Sequence, residues 1–443
     1  MSLIWTKGRD DARTFFRLIT WIGILSLVSF LSTACAPAPA TGTPVPVTGN
    51  LMPTATPFQP LPGNYDSPFD IVVTPRLPVN IAPTSIPQKA SPSPAPTTTV
   101  PEIPVLNLSV DINPLTGLPP ADPVLLERRP LAIKISNYPR EIRPQFGLTS
   151  ADQVFEYYIE WGDSRFIGIF YGNDAPQVGP VRSGRYFDGH ITRMYHAFYV
   201  FNFADPRELD YFRNGDLASF LITPGCPECT CPPFFVYNPN KLSDQNHLAT
   251  YFDTTRSSAC TAKKGVNNSR QPIRNGFFSE LVPNSDYKVT RLYTNFSTAD
   301  YHYWEYDPQT LKYLRYQETV TTDSTLNITE AYAPLMDAGT NQQVNAENVV
   351  MLYVSYIFAN TFDAADEVYH INLIDSGKAY VFRDGIAIPA KWVRPETDQP
   401  LFLTTLDGSP IFLRPGRTFY EVIGMTSTSY QDDSGWHFQF STP

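Results

Sequence analysis

The sequence predicts an α+β fold, with a mixed α/β domain over 105–290 and a mostly β domain over 291–443. Three observations carry this. Residues 154–171 form two runs of alternating side chains about Gly162-Asp163, the pattern of paired strands with one face turned inward. A helix feeding a strand is expected over 189–200, and a second helix over Pro206–Phe212. After residue 290, short β-branched and aromatic runs recur between Asp384-Gly385, Asp407-Gly408 and Pro415-Gly416. Turn dipeptides at this spacing mark a strand-rich domain.

The chain begins with a leader. Lys7, Arg9, Arg13 and Arg17 precede an apolar stretch from Leu18 to Leu31. Positive charge of this kind stays on the cytoplasmic face. Fourteen residues are short for a spanning helix, which needs about 20, and suit a signal-peptide core of about 7–15. Ser32-Thr33-Ala34-Cys35 resembles the lipobox of bacterial lipoproteins, in which the cysteine is acylated and becomes the mature N-terminus. Ser32 stands where leucine is usual, with Leu31 one step earlier. Cys35 is the expected lipidation site, which makes this an extracytoplasmic lipoprotein anchored to a bacterial cell membrane. An uncleaved helix and plain secretion are the alternatives.

Residues 36–104 hold 18 of the chain's 43 prolines and only five charged side chains. Such a segment buries too little apolar surface to offset its ordering entropy. Its prolines favour extended polyproline II, so it reads as a disordered tether.

The remaining 339 residues are enough for two domains. The net charge is −10 and aromatics make up 14 % of the chain. Nucleic acid is not an expected partner, because counterion release needs clustered Lys/Arg. Four cysteines remain after the leader: Cys226, Cys229, Cys231 and Cys260. On the oxidising side of a membrane, two disulfides stapling an insertion near 224–260 are the leading reading. A four-thiolate zinc or iron–sulfur site, a redox pair at Cys226/Cys229 and free thiols stay open.

In the folded region Leu131–Ile135 reads as a strand, stopped near Asn137-Tyr-Pro. In the next strand, Glu156, Tyr158 and Glu160 line one face while Phe155, Tyr157, Ile159 and Trp161 line the other. A helix over 150–160, capped by Ser150, competes. Tyr301–Tyr316 reads as two strands about Asp307-Pro308. Further strands are expected at 349–358, 368–374, 378–382, 386–388, 410–413 and 418–423.

Residues 129–137 (RPLAIKISN), 143–152 (RPQFGLTSAD) and 178–185 (VGPVRSGR), with Glu156, Glu160 and Ser164-Arg-Phe, resemble the N-terminal half of the YerB-like lipoprotein family, catalogued as DUF3048. Residues 377–385 (GKAYVFRDG), 391–392 (KW) and 407–419 (DGSPIFLRPGRTF) resemble its second half. The resemblance covers about 110–443 and implies a two-part fold and a lipid anchor. It supplies no reaction. The cysteine region 224–260 departs from the family pattern, and Phe419 stands where tryptophan is more usual.

Candidate sites follow from residue chemistry. Arg182 and Arg185 flank Ser183-Gly184, and guanidinium forks suit a carboxylate or phosphate. With Asp152 and Arg165 these are the ligand-binding candidates. The bland alternative pairs Arg182 or Arg185 internally with Asp152, Glu156, Glu160 or Asp188. On a strand, Glu156 and Glu160 stand about 13 Å apart, beyond the roughly 5–9.5 Å of paired glycosidase carboxylates; on the competing helix they stand about 6 Å apart along the axis, so that pairing stays open. Asp188, His190 and His196 are acid–base or metal candidates. His247, His302 and His370 are isolated in sequence. No dinucleotide, phosphate-loop or zinc-protease fingerprint appears, so no cofactor is expected. Tyr301, Tyr303, Trp304 and Tyr306 read as core and rim ahead of a stacking surface.

Two functions compete. One is a binding or envelope-assembly module for an anionic small molecule, glycan, peptide or envelope protein. The other is an envelope hydrolase acting on glycan or peptide through Glu156, Glu160, Asp188 or His190, which requires those groups to converge on one reacting atom.

Overall fold

The structure, a computed structural model, describes residues 111–224, 233–238, 248–273, 276–360 and 365–442. The leader, Cys35, the tether, Cys226, Cys229 and Cys231 lie outside the described residues.

Strands β1 (Leu131–Ser136), β2 (Gln153–Glu160) and β3 (Asp163–Phe170) form the expected antiparallel set. The competing helix over 150–160 does not form. Helix α1 (Tyr186–Met194) feeds β4 (Phe198–Val200); helix α2 (Pro206–Asn214) and β5 (Leu221–Ile222) follow. Asp205 caps α2 by accepting from the Arg207 amide, with Pro206 at the first helical position, where its missing N–H costs nothing.

Beyond residue 290 come β6 (Arg291–Asn295), β7 (Tyr301–Asp307), β8 (Lys312–Glu318), β9 (Asn348–Phe358), β10 (Asp375–Arg383), β11 (Ile386–Arg394), β12 (Phe402–Thr404), β13 (Thr418–Gly424), β14 (Thr428–Asp432) and β15 (Gly435–Gln439). They enter two sheets. The larger, of twelve strands, runs β12-β11-β10-β9-β13-β2-β3-β1-β4-β5 along its main path. Strands from both sides of residue 290 therefore share it, joined where β2 and β13 pair in parallel with Glu156 opposite Glu421. The smaller sheet runs from Tyr332–Pro334 through β8-β7-β6-β15-β14.

Every residue of β1, β2 and β13 is buried, as expected for central strands covered on both faces. The smaller sheet covers one face: His302, Trp304 and Arg315 reach Glu421. Helix α1 covers the other: Asp188 reaches Lys134 and Tyr157. The fold is sheet-rich with few helices, which corrects the balance of the α+β expectation. The described residues between 205 and 273, rich in Asn, Ser, Gly and Pro, form turns, short strands and little helix beyond α2. The expected aromatic core is present at Trp304 and Tyr301, both buried.

Candidate functional site

The segment 178–185 runs along the open end of β1. Ile135 bridges Val181, the Arg182 amide donates to the Lys134 carbonyl, and the Asn202 amide donates to the Arg182 carbonyl. The segment is thus stitched between β1 and the residues after β4. Gly184 is required: a Cβ there would stand 2.6 Å from the Tyr199 hydroxyl. Arg185 is the N-cap residue of α1, and Asp188 accepts from its amide at 2.8 Å.

The Arg185 fork is occupied. It grips Glu160, with Nε donating to Oε2 at 2.8 Å and Nη2 donating to Oε1, and Nη1 lies 3.6 Å from Glu208 Oε2. Arg165 lies 3.8 Å from Glu160 and donates to the Ser183 carbonyl at 3.2 Å. Burial, then the neighbouring Arg185 charge, lowers the Arg165 pKa to about 9. The internal pairing of Arg185 with Glu160, weighed as the bland alternative, is what the structure contains.

The expectation that Glu156 and Glu160 share a face is overturned. The register between β2 and β3 slips between Tyr158 and Glu160, and a bulge of this kind re-aims the residues beyond it. Glu156 points to the smaller sheet, where Arg315 meets it at 2.6 Å. Glu160 turns to the opposite face, beside Arg165 and Arg185. The two carboxylates belong to different sites.

Glu160, Arg165, Ser183 and Arg185 line one cleft of about 420 Å³. Its other wall comes from α2 with its preceding loop, through Phe203, Asp205 and Glu208, and from Asp366 and Glu367 of the second half. Trp161 and Phe203 also line it and are 66 % and 68 % exposed. Both have left-handed backbones, with φ of 52° and 66°, a conformation bulky side chains seldom adopt. Glu367 holds the rim by accepting from the Trp161 amide at 2.7 Å and the Tyr158 hydroxyl at 2.8 Å. Burial, opposed by Arg185, raises the Glu208 pKa to about 7.

Two buried polar clusters flank the central strands, one on each sheet face. Asp188 accepts from Tyr157, Tyr199 and Lys134, and burial lowers the Lys134 pKa to about 7. On the other sheet face, Glu156, His302 and Glu421 offer ligand atoms within 4.8 Å of one another, the spacing of a metal site. Arg315 already fills it, with Nη1 2.6 Å from Glu156 Oε2 and 3.3 Å from Glu421 Oε1. The guanidinium supplies the positive charge a cation would bring. Burial raises Glu156 and, with Arg315, lowers His302.

The remaining candidates disperse. Asp152 accepts from the amides of Tyr171 and Gly172 and from Asn113 and Asn173, fixing the exit of β3. His190 packs with its Nδ1 3.3 Å from Arg394 Nη1, and burial lowers its pKa to about 3. The His196 carbonyl receives Arg129. The proposed metal trio Asp188, His190 and His196 therefore does not assemble. Arg182 is partly buried, its Nε has no acceptor among the described residues, and it is not part of the cleft lining. Cys260 is buried on the short helix Ser258–Thr261. Sequence reasoning missed Trp161, Phe203, Glu208, Asp366 and Glu367 in the cleft, and His302, Arg315 and Glu421 in the core. No local pattern marks them: Trp161 meets Glu367, Asp366 meets Arg207, and Arg315 meets Glu156, each more than 150 residues away.

Known proteins match this chain in both halves. The family model "Protein of unknown function (DUF3048) N-terminal domain" matches residues 115–264, and the DUF3048 C-terminal domain matches 292–420. The chain is 24 % identical over 312 residues to the protein named "Putative lipoprotein YerB" of Bacillus subtilis (strain 168), covering 70 % of this chain and 85 % of that one. A crystal structure of the YerB protein from Bacillus subtilis superposes with a TM-score of 0.56 at 23 % identity, covering 70 % of this chain and 96 % of the other. That likeness shows a shared fold. With both parts matched in order over most of its folded length, the chain belongs to the DUF3048 family of proteins of unknown function.

Proposed function

We propose that this chain is a lipid-tethered, extracytoplasmic binding module, and that its ligand enters the cleft beside the 182–185 segment. The single observation that carries the reading is that cleft. Loop residues singled out by their chemistry meet two exposed aromatic side chains there, and both halves of the chain contribute walls. The lipobox-like leader and the lipoprotein name of the relative support the compartment.

An anionic small molecule fits poorly. The Arg185 fork and Arg165 are engaged by Glu160, and carboxylates outnumber guanidiniums around the opening. A larger envelope ligand, peptide or glycan, is the better fit, since exposed Trp and Phe offer apolar contact area. The hydrolase reading draws no support from Asp188, His190 and Glu156, which lie in separate hydrogen-bond networks.

The test is co-sedimentation of the full chain with purified cell-envelope polymers. Retention of the wild type, lost in a Trp161→Ala/Phe203→Ala variant of unchanged thermal midpoint, is the expected result. Retention unmoved by both substitutions overturns the proposal.

A further inference from the structure

The charges around the cleft do not balance. Five carboxylates line it, from Glu160, Asp205, Glu208, Asp366 and Glu367, against the guanidiniums of Arg165 and Arg185. Arg207, beside the opening, adds a third by bridging Asp205 and Asp366. Glu160 is neutralised by Arg185. Glu367 has no cationic partner among the described residues; its acceptors are taken by two tyrosine hydroxyls and one amide.

A second observation is independent of this count. Glu208 is 1 % exposed, yet its Oε2 accepts no hydrogen bond among the described residues. Its nearest cation is Arg185 Nη1 at 3.6 Å, longer than a hydrogen bond. A buried carboxylate oxygen left without a donor is costly; a ligand cation at this wall would compensate its charge, and one that carries an N–H would also supply the donor. The third observation is the aromatic pair. Trp161 and Phe203 line the same cleft and stay largely exposed, and aromatic faces attract cations with apolar substituents.

We propose that the cleft takes a substituted ammonium group, its charge met by Glu208 and Glu367 and its carbon substituents covered by Trp161 and Phe203. This rests on the cleft being the binding surface, and it adds the charge and chemical class of what binds. The ammonium can be quaternary, as in a choline-type group, or primary, as on a lysine-type chain.

Calorimetric titration of the full chain at low ionic strength tests it. The probes are choline, the alcohol in which carbon replaces the quaternary nitrogen, n-propylammonium, and the matching tert-butyl carboxylate. One of the two ammonium probes binds at least about tenfold more tightly than the neutral alcohol, as expected of a desolvated cation on aromatic faces. Whichever is preferred identifies the source of the group. Glu367→Gln and Phe203→Ala each weaken it about fivefold, the cation-dependent share of such a contact. Phe203→Ala keeps the test interpretable should Glu367→Gln loosen the rim. Equal binding of the alcohol, preference for the carboxylate, or no binding of either amine at millimolar concentration overturns the ammonium assignment. The cleft reading fails separately, when envelope retention ignores the aromatic substitutions.

Discussion

Arg315 of β8 meets Glu156 of β2 across the interface between the two sheets, with Nη1 2.6 Å from Oε2 and Nη2 3.0 Å from Oε1. Both side chains are fully buried. Glu421 and Gln317 complete the guanidinium's partners. Removing one member of a buried pair leaves its partner's charge uncompensated, which costs roughly 3–5 kcal/mol. Arg315→Met is therefore expected to lower unfolding free energy by about that amount in denaturant titration. An unchanged midpoint would show that the two sheets do not depend on this contact.

The pH dependence of stability has a definite sign at Glu208. Its folded pKa is raised from 4.5 to about 7, chiefly by burial and against Arg185. Glu160 and Asp188 also face it and push the same way. Between pH 4.5 and 7 the native state holds more protons at this group than the unfolded state, so its contribution to stability is present below 4.5 and lost as pH rises through 7. Glu208→Gln does not titrate. Its stability relative to wild type should rise across that window with a slope approaching about 1.4 kcal/mol per pH unit. A difference flat with pH contradicts the assignment.

The left-handed backbone at Phe203, φ 66°, costs a bulky residue on the order of 1–3 kcal/mol. Glycine removes that cost and adds unfolded-state entropy of about 0.5–1 kcal/mol. Phe203→Gly should hold or raise the thermal midpoint while abolishing envelope retention. A clear loss of stability would mean that the ring packs structurally.

Across the outer face of the smaller sheet, Tyr430, His437, Tyr293, Tyr303 and Tyr316 sit on register-paired positions of five adjacent strands. Neighbouring rings lie 4.6, 4.7, 5.2 and 4.6 Å apart. Cross-strand aromatic pairs contribute about 0.5–1.5 kcal/mol each. A double-mutant cycle on Tyr303→Thr and Tyr316→Thr should return coupling in that range, and zero coupling removes the row as a source of sheet stability.

Much of the strand pattern was legible. Two-residue alternation and the turn at Gly162-Asp163 located β2 and β3, and Asp307-Pro308 located the β7–β8 turn. The sequence of Glu160 is no guide to its bulge, because alternation assumes an unbroken pleat. That one slip reassigned it from the Glu156 face to the Arg185 face. His302 looks isolated along the chain, yet its Nε2 meets Glu421 at 2.9 Å. Pairings more than a hundred residues apart leave no local trace. Residue chemistry alone marks the loop 182–185; which carboxylates occupy Arg185 is set by the fold.

Site-specific photo-crosslinking in living cells tests the cleft most directly. The photo-reactive residue is placed at position 203 of the full chain, and at position 326, where Leu326 is equally exposed and outside the cleft lining. An envelope-component adduct at 203, absent at 326 and reduced by Trp161→Ala, is the predicted result. Equal adducts at both positions, or none at 203, contradicts a ligand cleft at this place.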